Sequence, residues 1–184
     1  FTSGLGIAGE VTVELAAGVG NLGARIRSPD LNEPLGDLVE DQIKNDSGEV
    51  LELTLTDLRA GSYRLDAYLN DNQYGSLGQV DIEVDDARGD GRLMIGGFPM
   101  GGPGTSNLAV ATIDFLANGL DPVTVRFTEI PGTRPGGGNQ EMSLNGFSLV
   151  SVPERWAVCL ALLCCMGLAF AGWPFWLTDL TINI

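Results

Sequence analysis

The chain has 184 residues, which is room for one ordinary domain and a tail, with 10 basic and 24 acidic side chains and a formal net charge of −14. So acidic a surface repels nucleic acid and anionic lipid headgroups, which excludes both as partners of the domain. The lack of histidine excludes Ser-His and Cys-His catalysis. All three cysteines lie between residues 159 and 165, so the rest of the chain has no disulfide and no thiol nucleophile.

The first half of the chain predicts short strands separated by glycine and polar residues. Residues 11–15 alternate apolar and polar side chains, and the glycines of residues 18–23 interrupt this pattern. Apolar residues at helical spacing after residues 30–34 predict either one short helix or an irregular loop. The most regular alternation covers residues 51–56 and 63–70, and the turn between them predicts a paired strand-turn-strand unit with one buried face.

The second half continues in the same way. Residues 80–85 alternate Val and Ile with acidic side chains, and the glycine-rich residues 96–104 predict a loop that cannot hold a regular element. Residues 109–116 and 123–127 predict two more strands, joined by a turn at Asn118-Gly119.

After a second glycine-rich loop, a final strand is predicted over residues 142–149. The parity of its apolar positions shifts at Asn145-Gly146, which predicts a β-bulge that keeps both halves of the strand facing inward.

Together these patterns predict an all-β domain over residues 1–150. Roughly eight short strands without a long helix favour an antiparallel, jelly-roll-like β-sandwich. Irregular spacing between the strands disfavours a parallel β-helix, which needs a fixed repeat.

Residues 151–184 form a tail of different composition. No charged residue lies between Arg155 and Asp179, and this span is long enough for a transmembrane helix of about 20 apolar residues. Trp156 lies at one end of this span and Trp173 and Trp176 at the other, where tryptophans of a transmembrane helix would contact the lipid headgroups. The alternative is a buried core helix, which in a domain of this size would normally show a polar stripe.

The entry into this tail resembles the PEP-CTERM sorting signal of Gram-negative exosortase substrates. The resemblance lies in Val152, Pro153 and Glu154 and in the hydrophobic span that follows. The sequence departs from the family at Arg155, where a second proline would stand, and in its last residues, which contain no Lys or Arg. Such proteins have a short basic end, which this tail lacks.

The resemblance implies an exported protein that is held by its C-terminal helix and processed by an exosortase-type enzyme. After processing it would be extracellular or on the cell surface, associated with extracellular matrix. The chain begins with Phe1, and we expect a secretion signal upstream of it. The alternative is a permanent membrane anchor, because no basic residue follows the helix to support the family's orientation.

A second resemblance concerns the body of the chain. Residues 53–71, with the pattern Leu-x-x-Gly-x-Tyr near their centre, resemble the central hairpin of galactose-binding-like jelly rolls. Residues 144–149 are similar to the closing strand of those domains. This resemblance implies a β-sandwich and raises glycan binding as a function.

Acidic residues between positions 81 and 90 suggest a cation site. Asp85, Asp86 and Asp90 surround a glycine turn and could bind Ca²⁺, because hard cations prefer several oxygen ligands. The alternative is a solvated acidic strand edge that resists pairing with another sheet. No other cofactor is suggested by the sequence.

Polar and aromatic residues on and after the strand at residues 63–70 form a candidate glycan site: Arg64, Asp66, Tyr68, Asn70, Asn72 and Tyr74. Aromatic rings stack on sugars, whereas amides and guanidinium groups bind hydroxyls. The alternative is an ordinary solvated sheet face with one tyrosine.

No motif indicates an enzyme, since there is no nucleophile elbow, no phosphate loop and no distinctive pair of carboxylates. The sequence therefore predicts a non-enzymatic secreted or cell-surface bacterial protein with a sorting signal. The alternative is a carbohydrate-binding module that acts on extracellular polysaccharide.

Overall fold

The computed structural model describes residues 11–18, 22–26, 41–45, 50–70, 78–101, 108–133 and 142–153. These residues contain eleven strands and no helix, in agreement with the all-β prediction. The strands are β1 (Thr12–Ala17), β2 (Leu22–Ile26), β3 (Asp41–Asn45), β4 (Val50–Thr56), β5 (Gly61–Tyr68), β6 (Gln79–Asp86), β7 (Gly89–Pro99), β8 (Val110–Ala117), β9 (Val123–Glu129), β10 (Met142–Leu144) and β11 (Gly146–Val152).

The strands pair antiparallel and form two layers. One layer is a five-stranded sheet with the order β1-β4-β9-β6-β7. The other contains the β5 sheet, with the order β11-β5-β8, and the β3 sheet, with the order β10-β3-β2. β6 lies against β8, β9 against β10 and β4 against β3, so the five-stranded sheet faces both smaller sheets. The result is an antiparallel β-sandwich.

A single apolar core fills the space between the layers. Leu51, Leu53 and Leu55 of β4 are fully buried, whereas the residues between them lie on the outer face. Other strands of both layers contribute further buried residues: Val80, Ile82, Val84, Val123, Val125, Phe127, Tyr63, Leu65, Ala67, Ala111, Ile113 and Phe115. Burial of each large apolar side chain contributes about 1.5–3 kcal/mol, so the inward-facing rows of the strands supply the main attraction between the layers.

β4 and β5 do not pair with each other, so the predicted strand-turn-strand unit is wrong. β4 pairs with β1 and β9, and β5 pairs with β11 and β8 in the opposite layer. Alternation shows that each strand has one buried face, but this holds equally for paired strands and for strands that oppose each other across a core. At the crossover Asp57 has a φ of 64° and accepts a hydrogen bond from the Thr12 hydroxyl at 3.0 Å.

The predicted turn at Asn118-Gly119 is present, and it too crosses between layers. The Asn118 Oδ1 atom accepts the backbone N–H groups of Leu120 and Asp121, at 2.9 and 2.8 Å. Gly119 has a φ of +83°, and a Cβ atom there would lie 3.0 Å from the backbone nitrogen of Ala60. A side chain larger than glycine would therefore be strained at this position and would collide with the β4–β5 crossover.

β7 extends into the segment that the sequence predicted as a loop over residues 96–104. The strand ends at Pro99, and its pairing with β6 shifts register at three places. Gly97 has a φ of +64° at one of these irregularities, and its N–H donates to the Asp81 carboxylate at 2.9 Å. The prediction of a loop is therefore wrong for residues 96–99. Glycines are typical of loops, but they are equally typical of β-bulges in an edge strand, because both need the same backbone conformations.

Two strands were not predicted at all. β2 begins at Leu22, within the glycine-rich segment that was interpreted as a break, and β3 covers Asp41–Asn45. β2 alternates Leu22, Ala24 and Ile26 with Gly23 and Arg25, but over five residues that begin among glycines. β3 has Ile43 as its single apolar residue, so it shows no alternation. The predicted helix or loop after residues 30–34 lies outside the described residues. Of the second glycine-rich loop, predicted over residues 131–138, the structure describes residues 131–133, which lie in no strand, and residues 134–138 lie outside the described residues.

The apolar parity shift at Asn145-Gly146 has a different cause from the predicted bulge. Leu144 is buried and Phe147 packs against the same core, so both halves face inward as expected. However, β10 ends at Leu144 and pairs with β3, whereas β11 begins at Gly146 and pairs with β5. Asn145 therefore separates two strands that belong to different sheets.

The chain divides into two compact units, Phe1–Val152 and Pro153–Ile184. β11 ends at Val152, directly before Pro153, which has no backbone N–H to continue the ladder. No helix long and apolar enough to span a membrane occurs among the described residues, and the predicted transmembrane segment lies outside them.

Asn70, two residues after the end of β5, connects three strands of the β5 sheet. It is fully buried, and its Oδ1 atom accepts the Ala109 N–H at 2.9 Å. Its own N–H donates to Asn145 Oδ1 at 2.7 Å, and the Asn145 N–H donates to the Tyr68 carbonyl at 2.9 Å. The two asparagine side chains therefore fix the junction between β5, β8 and β11.

We expect Asn70→Ala to destabilise the protein by about 1–3 kcal/mol, because the part-buried Ala109 N–H would lose its acceptor. Chemical denaturation at neutral pH measures this change. Ser148→Ala, at an exposed position on β11, is the control and should change stability by less than about 0.5 kcal/mol. Equal stability of the Asn70 variant and the wild type would contradict the structural role of this side chain.

Candidate functional site

The outer face of the β5 sheet displays three of the predicted glycan-binding residues. Arg64, Asp66 and Tyr68 alternate along β5 with buried residues, so all three lie on the side away from the core. The neighbouring strands add their own outward residues in register: Val110, Thr112, Asp114, Gly146, Ser148 and Val150. These nine residues are called the β5 face below.

Arg64 and Asp114 form a two-point ion pair across β5 and β8. The Nε and Nη2 atoms of Arg64 donate to the two carboxylate oxygens of Asp114, at 2.9 and 3.2 Å. The Arg64 guanidinium lowers the pKa of the Asp114 carboxyl, mainly through this hydrogen bond, and Asp114 in turn raises the pKa of Arg64. The only cation of the β5 face is therefore bound by a carboxylate of the same face.

The next two rows of the β5 face carry a hydroxyl-carboxylate pair and a tyrosine. The Thr112 hydroxyl donates to Asp66 at 2.7 Å, and Ser148 lies opposite Asp66 on β11. Tyr68 lies between Gly146 and Val110 in register, so it is the only large side chain of its row. Val150 is 49% exposed in the row of Arg64.

The remaining predicted glycan-binding residues do not join this face. Asn70 is buried and its side chain serves the backbone of β8, as described above. Asn72 and Tyr74 lie outside the described residues, as does Glu154 of the sorting motif. Val152 is the last residue of β11, and Pro153 follows it.

Sequence reasoning missed Asp114, Thr112 and Ser148 as members of the β5 face. Alternation in residues 109–116 indicates that Thr112 and Asp114 point outward, but not that β8 pairs with β5. Arg64 and Asp114 are 50 positions apart, and no local pattern predicts such a pair.

The three acidic residues of the calcium hypothesis have separate environments. The Asp85 carboxylate pairs with the Arg126 guanidinium and accepts the Gly91 N–H, both at 2.5 Å. Arg126 lowers the pKa of Asp85, chiefly through that hydrogen bond. Asp90, in contrast, is exposed at the start of β7.

The Asp86 side chain is fully buried and connects the two layers. It accepts hydrogen bonds from Arg88 and Arg92 and from the Leu116 N–H of β8, all at 2.8–3.0 Å. The Ala87 N–H donates to the Leu116 carbonyl at 3.0 Å, which adds a second bond between the β6–β7 turn and β8. Burial acts to raise the pKa of Asp86, but the Arg88 guanidinium and the backbone N–H groups of Leu116 and Arg88 outweigh it, and the pKa lies below its usual value.

The arginine and backbone contacts of Asp85 and Asp86 compete with the binding of a calcium ion by the same carboxylates. A cleft of about 150 Å³ is bordered by Asp85, Asp86 and Asp90 and by Asn118 and Asp121. Nevertheless, no group of three or more acidic residues within the described part of the chain is arranged to hold a metal ion. Asp85 and Asp86 bind arginines and backbone N–H groups, which favours a structural role. Calcium binding stays a prediction, which a melting-temperature titration with Ca²⁺ at matched ionic strength can test.

The chain matches no protein-family model and no curated protein. Several of its structural neighbours are carbohydrate-binding modules, and others are parts of larger enzymes, among them a Paenibacillus xanthan lyase. One of the modules is the CBM35 from Paenibacillus barcinonensis, with 11% identity, a TM-score of 0.44, and coverage of 78% of this chain and 100% of that one. Another is a family 35 module from Clostridium thermocellum, with 10% identity, a TM-score of 0.44, and coverage of 80% and 96%.

A third neighbour is TmCBM61 in complex with β-1,4-galactotriose, with 14% identity, a TM-score of 0.40, and coverage of 76% of this chain and 88% of that one. The identities and TM-scores are low for all three.

We expect Asp86→Ala to destabilise the protein at neutral pH by about 1–3 kcal/mol, because the part-buried Leu116 N–H and two guanidinium groups lose this acceptor. Because the pKa of Asp86 is lowered in the folded state, its contribution is present above about pH 4 and is lost as the pH falls through the folded-state pKa. The stability difference from the wild type should therefore shrink below about pH 4.

Urea denaturation between pH 3 and 7 measures this difference. Asp90→Ala is the matched control, since Asp90 is an exposed acid of the same hairpin. A difference between Asp86→Ala and the wild type that stays constant over this pH range would show that the ionised carboxylate is not what connects the layers.

Proposed function

We propose that this β-sandwich is a non-catalytic carbohydrate-binding module whose glycan site is the β5 face. The observation that carries the proposal is the position of Tyr68, a half-buried aromatic residue flanked in its row by Gly146 and Val110. An aromatic ring with small neighbours offers a sugar an apolar surface on which to stack. A strand glycine beside it lets a ligand approach the sheet closely.

The adjacent rows supply the polar groups that a sugar requires. Asp66 and Asp114 have carboxylate oxygens that accept hydrogen bonds from hydroxyls, and Thr112 and Ser148 have hydroxyls that both donate and accept. Asp66 and Asp114 are already oriented by Thr112 and Arg64. Groups held in place before binding lose less conformational entropy when a ligand arrives.

Two properties support a binding rather than a catalytic role. The whole chain lacks histidine, the commonest general base. A glycosidase also needs one carboxylic acid with a raised pKa to protonate the leaving group. The pKa values of Asp85, Asp86 and Asp114 are each lowered by an arginine or by backbone N–H groups, so these three carboxyls do not supply such an acid.

The C-terminal tail supports a second proposal about location. We propose that the protein is exported and inserted in a membrane through residues 156–177, and that an exosortase-type enzyme processes it near Val152-Pro153-Glu154. The support is the resemblance of these residues to the PEP-CTERM signal and the uncharged span after them. A module that binds extracellular polysaccharide would act at the cell surface, so the two proposals are compatible.

We expect Tyr68→Ala to weaken retention of the protein on its polysaccharide by about tenfold or more, because the stacking surface is lost. The measurement is affinity electrophoresis of the full chain against a panel of soluble polysaccharides. A detergent without a sugar headgroup is required, since a glycoside detergent would compete for the site.

Leu93→Ala is the control, because Leu93 is 57% exposed on β7, in the opposite layer. Loss of retention in the Leu93 variant but not in the Tyr68 variant would place the glycan site elsewhere. Retention of neither the wild type nor the variants by any polysaccharide would refute the binding function.

Expression of the full chain in a host that has an exosortase should yield a form that lacks roughly its last 30 residues, a helix-sized loss. Intact mass of the mature protein measures this change, and substitution of both Pro153 and Glu154 by Ala should prevent it. Recovery of the intact, membrane-bound chain alone would instead support a permanent anchor.

A further inference from the structure

We infer that the β5 face selects uncharged glycans and rejects those that carry carboxylate groups, such as polyuronates. This inference rests on the proposed function, because it names the ligand class of the same site. It follows from how the charges of the β5 face are arranged, and not from the net charge of the chain alone.

The cation that a uronate would need is already occupied. A guanidinium group recognises a carboxylate best through two parallel N–H···O bonds. Arg64 makes this pair of bonds with Asp114, at 2.9 and 3.2 Å, so Asp114 holds the position that the carboxylate of a ligand would take. A uronate would have to displace an ionised side chain whose pKa the same contact lowers.

The rest of the β5 face adds negative charge and hydrogen-bond acceptors. Arg64 is its only basic residue, whereas Asp66 and Asp114 are both acidic. Asp66 lies two residues from Arg64 on the same strand face, a distance of about 7 Å, so a carboxylate placed near Arg64 would also be repelled by Asp66. The net charge of −14 of the chain adds to this repulsion over longer distances.

Neutral sugars meet no such penalty. Their hydroxyls donate to the Asp66 and Asp114 oxygens and exchange hydrogen bonds with Thr112 and Ser148, while Tyr68 contacts the apolar face of the ring. The arrangement that repels a carboxylate is thus the one that accepts hydroxyl donors. The β5 face discriminates by an unfavourable charge as well as by favourable contacts.

The test compares one polysaccharide in two chemical forms. Polygalacturonate and the same polymer after chemical reduction of its carboxylates to alcohols share their backbone linkage and differ in charge. Affinity electrophoresis of the full chain, in the same sugar-free detergent, measures retention by each form. Uncharged galactan and β-glucan extend the panel to other neutral linkages. We expect at least about tenfold stronger retention by neutral polymers than by polygalacturonate.

Asp114→Asn provides the complementary variant, because it frees the Arg64 guanidinium while it retains the size of the side chain. Its side chain is exposed, at 60% of the accessible surface, so the fold should tolerate the change, and thermal melting checks this. We expect the ratio of polygalacturonate to neutral retention to rise about tenfold in this variant, and the gain to disappear in high salt. Asp90→Asn, which removes the same charge from an exposed position on β7 in the opposite layer, is the matched control and should leave the ratio unchanged.

The outcomes separate the two proposals. Equal or stronger retention of the wild type by polygalacturonate, abolished by Tyr68→Ala, would overturn the neutral-ligand inference and leave the glycan-binding function standing. An Asp114→Asn ratio equal to that of the wild type would also overturn the inference, since the Arg64–Asp114 pair would then not set the charge preference. Absence of retention by every polymer would refute both.

Discussion

Burial of one set of apolar side chains between two layers is the constraint on which the rest of the structure depends. β4, β6 and β9 of the five-stranded sheet, and β5 and β8 of the opposite layer, each direct every second residue into the core. Because the side-chain period of a strand is two, a register shift of one residue would expose an entire apolar row. The same constraint fixes which residues point outward, and so it creates the β5 face.

Polar side chains secure the layers where the apolar core ends. Asp86 joins the β6–β7 turn to β8, and Asn70 with Asn145 joins the ends of β5, β8 and β11. These bonds satisfy part-buried backbone groups, which would otherwise cost free energy on folding. They also hold β8 and β11 beside β5, so the outward residues of three strands are presented together.

The acidic composition is distributed among different physical roles. Asp81 and Asp85 of β6 accept backbone N–H groups from the bulged edge strand β7, and Asp86 is enclosed by arginines. Asp66 and Asp114 lie on the outer surface of the other layer. The acidic residues therefore have three roles. Some hold the bulged edge strand β7, one joins the two layers, and two lie in the proposed site, where their charge would affect the choice of ligand. Only the positions of the partners distinguish these roles.

The sequence by itself determined the all-β class, the inward face of β4, β5, β6, β8 and β9, and the parity change at Asn145. Alternation and turn residues report local conformation, and local conformation decides which side of a strand is apolar. The outward positions of Arg64, Asp66 and Tyr68 were predictable for the same reason.

Only the tertiary structure decided how the strands are arranged and which side chains meet. Alternation cannot distinguish a hairpin from two strands opposed across a core, so the separation of β4 from β5 was not predictable. β7 passes through Gly96 and Gly97 because β6 supplies an acceptor at Asp81, a contact made between strands. The Arg64–Asp114 pair and the burial of Asp86 join residues 50 and 30 positions apart. Such contacts depend on strand pairing and layer packing, which no short stretch of sequence specifies.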